Sequence, residues 1–126
     1  MAFTEQDLVP DISQEELDGI AKELVTPGDP TPIATAIAEQ TQKVEDFTLR
    51  WAVPELRVKR LTRPLVLWFL YKRLGSIPDK RQTDYDEAMK ELREIRDGKF
   101  PDLAIQEPAP DGSPASTAAW GSEGKI

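Results

Sequence analysis

Apolar and polar positions fall into four blocks of helical period, separated by proline- and glycine-marked breaks. Ahead of them, Phe3 to Val9 predicts one short helical turn with Thr4 as its cap. The first block starts at Asp11. Ser13 and Glu16 have capping-box spacing, and Leu17, Ile20 and Leu24 line one face. Pro27-Gly28-Asp29-Pro30 closes it as a loop. Thr31-Pro32 opens the second helix, with Thr31 as N-cap and Pro32 at the first helical position, where a missing N–H costs nothing. Ile33, Ile37, Val44, Phe47 and Trp51 form its stripe, and Gln40 and Thr41 interrupt it halfway. Its end is expected near Trp51, because the residue before Pro54 disfavours helical angles.

The third helix starts at Pro54, with Leu56, Leu61, Leu65, Trp68 and Phe69 as its core face. Val66, Leu67, Leu70, Tyr71 and Leu74 make it apolar nearly all round. Such a helix must be enclosed by other helices or by another chain. The apolar surface, Trp51, Trp68, Phe69 and Tyr71 included, reads as more than one small bundle hides, with sister copies covering the rest. Pro64 removes one backbone bond from this helix, so a kink is expected there; the alternative is a break with Thr62 capping a restart. Gly75 ends the helix.

Pro78 begins the fourth helix, with Tyr85, Ala88, Met89, Leu92 and Ile95 as its buried stripe and Asp86–Lys90 and Lys90–Glu94 as four-residue charge pairs. Gly98 is placed as the left-handed residue past its end. Phe100 to Ile105 reads as a short extended run. The fold class is therefore all-α: a small bundle of about four helices over residues 1–105, then an extended C-terminal tail over 106–126. The tail's Pro, Ala, Ser and Gly cannot bury enough surface to fold alone. Trp120 and Ile126 stand out in it, either as anchors for a partner or as incidental residues.

Composition removes much chemistry. The 126 residues include no Cys and no His, which excludes disulfides, thiolate metal sites, Ser-His-Asp hydrolysis and Glu-x-x-His di-iron centres. Glu15-Glu16, Glu45-Asp46 and Asp86-Glu87 are adjacent acids that diverge on a helix, so they read as solvated faces. Asp84, Asp86 and Glu87 lack the glycine and spacing of a calcium loop, and there is no glycine-rich phosphate loop. No catalytic, cofactor-binding or metal-ligating residue is assigned, and no enzyme activity is expected. Met1 to Pro10 lacks a secretory apolar run, and Pro64 to Tyr71 is too short to span a bilayer, so a soluble chain made in a cytoplasm is expected.

The net charge of −7 is unevenly spread: residues 1–48 carry −9 and residues 49–74 carry +6. Either identical copies stack acidic front against basic middle, or the two regions meet within one chain. Arg57, Lys59, Arg60 and Arg63 form the strongest basic cluster. A nucleic-acid reader could use it on phosphates, but here it is interleaved with residues that must be buried. Arg57, Arg60, Arg63, Trp68 and Tyr71 are thus the candidates for a subunit interface.

Four motifs in order carry a resemblance. They are Thr4-Glu5-Gln6-Asp7-Leu8, a helix running from Ile37-Ala38-Glu39 to Val44-Glu45-Asp46-Phe47, Val53-Pro54-Glu55-Leu56, and Tyr85-x-x-Ala88-x-x-x-Leu92-x-x-Ile95-x-x-Gly98-Lys99. Over roughly residues 3–103 the chain resembles the Mu-like head-to-tail adaptor (connector) proteins of tailed bacteriophages. It departs from them in a shorter Asp46-to-Trp51 stretch and in Pro64. The resemblance implies a virion protein of the neck, made in the host cytoplasm. It implies a ring of about twelve copies below the portal protein, which extends the channel for double-stranded DNA and offers a platform to a tail terminator or next neck protein. It also implies a C-terminal segment that reaches the portal, for which Phe100, Leu103, Ile105, Trp120 and Ile126 are the docking candidates. The competing readings are a small phage or bacterial DNA-binding regulator and a transient helical assembly factor.

Overall fold

The computed structural model describes residues 3–9 and 11–105. A 3₁₀ turn over Glu5–Leu8 leads into α1 (Gln14–Leu24), α2 (Pro32–Thr48), α3 (Glu55–Leu74) and α4 (Asp79–Arg96). The fold is all-α, and no strand occurs among the described residues. The run after Phe100 makes only a single antiparallel bridge, Trp51 to Ile105, with the Ala52 amide donating to the Ala104 carbonyl at 2.8 Å.

Local chemistry sets the helix ends. Asp7 closes the first turn by accepting from the Thr4 amide at 2.8 Å. Ser13 Oγ accepts from the Glu16 amide at 3.1 Å, but the expected return bond is absent, because the Glu16 carboxylate is taken by the Tyr71 hydroxyl. Thr31, the expected N-cap of α2, makes no side-chain cap. Instead Thr35 Oγ1 donates to Asp29 Oδ1 at 2.8 Å and ties the loop to α2. α2 stops at Thr48, short of Trp51. Gly75 (φ +99°) and Gly98 (φ +77°) end α3 and α4 in the left-handed region, as expected. On α4 the four-residue charge pair made is Lys80–Asp84 at 2.9 Å, and Gln82 Nε2 donates to Asp86 Oδ1 at 3.0 Å; the two pairs expected through Lys90 are not formed.

The core has two centres joined by α3. One gathers Leu8, Leu17, Ile20, Ile33 and Ala36 around Val66, Leu67 and Leu70. The other gathers Val44, Ala88, Met89, Leu92, Ile95 and Leu103 around Leu61 and Leu65. Gln40 and Thr41 lie where α2 passes from one centre to the other, which explains the polar break in its stripe.

Leu61, Leu65, Val66, Leu67 and Leu70 of α3 are buried within one chain, and Trp51, Trp68, Phe69 and Tyr71 are half-buried. Leu56 corrects the expected core face: it is 82% exposed. It lies five residues before Leu61, about 140° around the helix from the Leu61–Leu65 stripe, so its phase is wrong for the core.

α3 runs unbroken through Pro64, and the Thr62 hydroxyl donates to Val58 O at 2.7 Å rather than capping a restart. The proline leaves the Arg60 carbonyl without its helical donor. Pro64→Ala restores that donor and is expected to raise stability by about 1–2 kcal/mol, seen as a higher urea midpoint at unchanged slope. A midpoint that stays or falls would show that packing of the proline ring outweighs the lost bond.

Candidate functional site

The basic face of α3 places Arg57 and Arg60 one turn apart, and both reach Glu91 on α4. Arg57 Nε donates to Glu91 Oε2 at 2.9 Å and Arg60 Nη2 to the same oxygen at 2.8 Å. Burial opposes the charge on Glu91, yet the two guanidiniums outweigh it and hold the carboxyl below its ordinary range. Phe100 lies under the Arg57 guanidinium, 4.3 Å from its carbon to the ring centroid.

Toward the N-terminus, Arg63 Nε donates to the Asp7 carbonyl at 2.6 Å and Lys59 Nζ approaches Asp7 Oδ1 at 3.4 Å. The Asp7 carboxyl is held low, first by the Thr4 amide and then by Lys59 against a desolvation cost. At the far end Arg73 pairs with Asp29 at 3.3 Å. Lys59, Arg63 and Arg73 of basic α3 thus meet the acidic front inside one chain, while Arg57 and Arg60 turn to Glu91 of α4.

The aromatic candidates are engaged as well. Trp68 stacks on Tyr85 with centroids 4.0 Å apart and 16° between planes, and its Nε1 donates to Gln82 Oε1 at 3.0 Å. Burial raises the Tyr71 hydroxyl above its usual value, and its bond to Glu16 adds to the rise. Leu103 is buried in the second centre and Phe100 packs against it, so the chain's own core takes up both expected docking residues. Ile105 is 62% exposed. Trp120 and Ile126 lie outside the described residues.

The hub role of Glu91 had no signal in the sequence beyond its place in a charged helix. It carries a prediction. Glu91→Gln keeps the volume but loses the charge that two guanidiniums share, and is expected to cost about 1–2 kcal/mol near neutral pH. Because folding lowers this carboxyl's pKa, its contribution is present above the unfolded carboxylate range and is lost as pH falls through the folded value. Wild-type melting temperature should therefore fall over roughly pH 5 to 2, and fall less in the variant. Parallel pH profiles would remove Glu91 as the source.

Between α3 and α4 lies a cleft of about 390 Å³ lined by Arg60, Arg63, Pro64, Lys80, Glu87 and Glu91. Its cations and carboxylates offset one another, and no set of three or more acidic side chains among the described residues could hold a metal ion. The surface has two more distinctive regions. Leu49 (70% exposed) just past α2, Leu56 in the first turn of α3 and Ile105 on the bridge to Trp51 stand exposed. Two hollows of about 470 and 420 Å³ share Glu5 and Ala34; the first runs along α2 from Ala34 to Glu45 beside Phe3, Ile37 and Ala38, and the second includes Val25 and Ile33. Leu49 was not singled out from the sequence, which placed it inside a helix expected to end near Trp51, whereas α2 stops at Thr48.

No helix among the described residues is long and apolar enough to cross a membrane. No curated protein matches the chain. The family model described as Bacteriophage Mu, Gp36 matches residues 3–119, taking in every helix, both core centres and the Gly98-Lys99 close of α4. The four-helix chain thus belongs to the Bacteriophage Mu, Gp36 family of phage proteins.

Proposed function

We propose that this phage protein is a structural component of the virion neck, a head-to-tail adaptor. Copies form a ring, of about twelve, below the portal protein. The ring extends the DNA channel and presents a surface to a tail terminator or the next neck protein. Membership of the Mu Gp36 family over residues 3–119 carries this reading. The acidic balance of −7 supports it, since a negative lumen lets duplex DNA pass without adhering. The DNA-regulator reading is weakened by Arg57, Arg60 and Arg63, whose guanidiniums are occupied by Glu91, Asp7 and Asp11.

Protein mass spectrometry of purified phage particles, with negative-stain imaging of the chain mixed with its portal, tests the proposal. The chain should be present in finished particles and form rings on the portal. Absence from finished particles would instead make it a transient assembly factor. A strict monomer with portal present would count against any adaptor role.

A further inference from the structure

We infer that the chain's own C-terminal segment, residues 106–126, lies back along α2, with the indole of Trp120 seated in the hollow beside Phe3, Ile37 and Ala38. This seating belongs to a single free copy and is independent of the ring reading. α2 itself lays the track. Ala34, Ile37, Ala38, Thr41, Gln42 and Glu45 line that hollow. Glu45, Thr48 and Leu49 line a third hollow of about 480 Å³, with Trp51 and Val53 beyond them. Steps of three and four residues keep this series on one side of the helix, so the two hollows form one track joined at Glu45. From Ala34 to Thr48 the track is about 20 Å long.

The described residues end at the head of this track. Ile105 pairs with Trp51, a wall of the third hollow, in an antiparallel bridge. Antiparallel partners run in opposite directions, so a backbone leaving Ile105 is directed toward Arg50 and Leu49, the near end of the track. Trp120 is the fifteenth residue after Ile105. Such a length reaches up to about 50 Å when extended, and Thr48 to Ala38 along α2 is only about 15 Å. A tethered segment within reach of its site acts at roughly millimolar effective concentration, which a second copy does not match at ordinary protein concentrations.

Chemistry selects Trp120 as the anchor. It is the only aromatic residue after Phe100, and Ile126 is the only other large apolar residue after Ile105. Phe3, Ala34, Ile37 and Ala38 offer apolar contact to an indole ring. A covered indole N–H needs an acceptor. Gln42 spends its amide donor on Asp46 and keeps Oε1 uncommitted, and Glu45 has no ion pair among the described residues. Gly112 to Trp120 carry no charge, so this stretch meets the acidic rim of Glu5 and Glu45 without repulsion. Lys125, the one cation of the segment, follows close behind.

The native chain has no cysteine, so a reporting pair can be introduced cleanly. Full-length Ala38→Cys/Ala119→Cys is treated with a short bismaleimide. Ala38 is exposed on the track, and exposed Thr83 on α4 supplies the control pair Thr83→Cys/Ala119→Cys. Expected is an intramolecular cross-link whose yield is unchanged on dilution and roughly tenfold above the control. Adding Trp120→Ala should lower the yield to the control value, with circular dichroism unchanged. In a chain carrying Ala38→Cys alone, Trp120→Ala should speed alkylation of the thiol several-fold.

Dimeric products that grow with concentration would overturn the inference in favour of a neighbouring copy's track. Equal yields from the Ala38 and Thr83 pairs would show that the segment has no seat on α2. A yield that survives Trp120→Ala would refute the indole as its anchor. None of these outcomes bears on the ring reading, which particle composition and imaging decide.

Discussion

Leu65→Ala is expected to destabilise the chain by about 2–5 kcal/mol, a large fraction of the stability of a domain this size, seen as a lower urea midpoint. Leu65 is fully buried where α3 faces Val44 of α2 and the Met89–Leu92 stretch of α4. Truncation there leaves a void that three helices line, and no neighbour can collapse into it without moving a whole element. Leu70→Ala, in the other centre, is expected to cost as much. Both should retain one cooperative urea transition, because both centres are built on the same helix. Two separated transitions in either variant would show that the centres unfold independently.

Gly98→Ala should cost about 2–3 kcal/mol, more than Gly75→Ala at about 1–2 kcal/mol. Both glycines have left-handed angles, so both substitutions strain the backbone. They differ in surroundings. A Cβ at Gly75 meets nothing within 4 Å, whereas one at Gly98 would approach Trp51 Cζ2 at 3.1 Å. That indole cannot retreat freely, being packed against the second centre with its Nε1 shielded and unpartnered. Thermal denaturation of the pair isolates the contact from the shared strain. Equal losses would mean that the indole yields at no cost.

How far the sequence disclosed this molecule depends on whether a feature is local. The four helices were legible because each carries its own period and its own stops, from Pro32 at the start of α2 to the Gly98 that closes α4. The apolar surplus of α3 was legible too, but its cause was not. Periodicity shows that Leu65 and Leu70 are both buried, and cannot show that they belong to different centres. Glu91 illustrates the same limit. It is one acid among many on a charged helix, and only packing brings Arg57 and Arg60 to it. Ser13–Glu16 shows local grammar overridden, since the carboxylate finds a stronger partner in Tyr71, far along the chain. Leu56 could have been placed correctly by strict phase counting. The resemblance to a Mu-like phage protein rested on the order of several weak motifs, and the match of residues 3–119 to the Bacteriophage Mu, Gp36 family bears out that much.

α3 also has a mechanical meaning. Its 20 residues form a strut of about 30 Å. Leu56 stands at one tip, and Tyr71 and Arg73 clasp Glu16 and Asp29 near the other. A load that slides or tilts the Leu56 tip is delivered along the strut to those clasps, so a neighbour pressing on one end of the molecule would be felt at the opposite end.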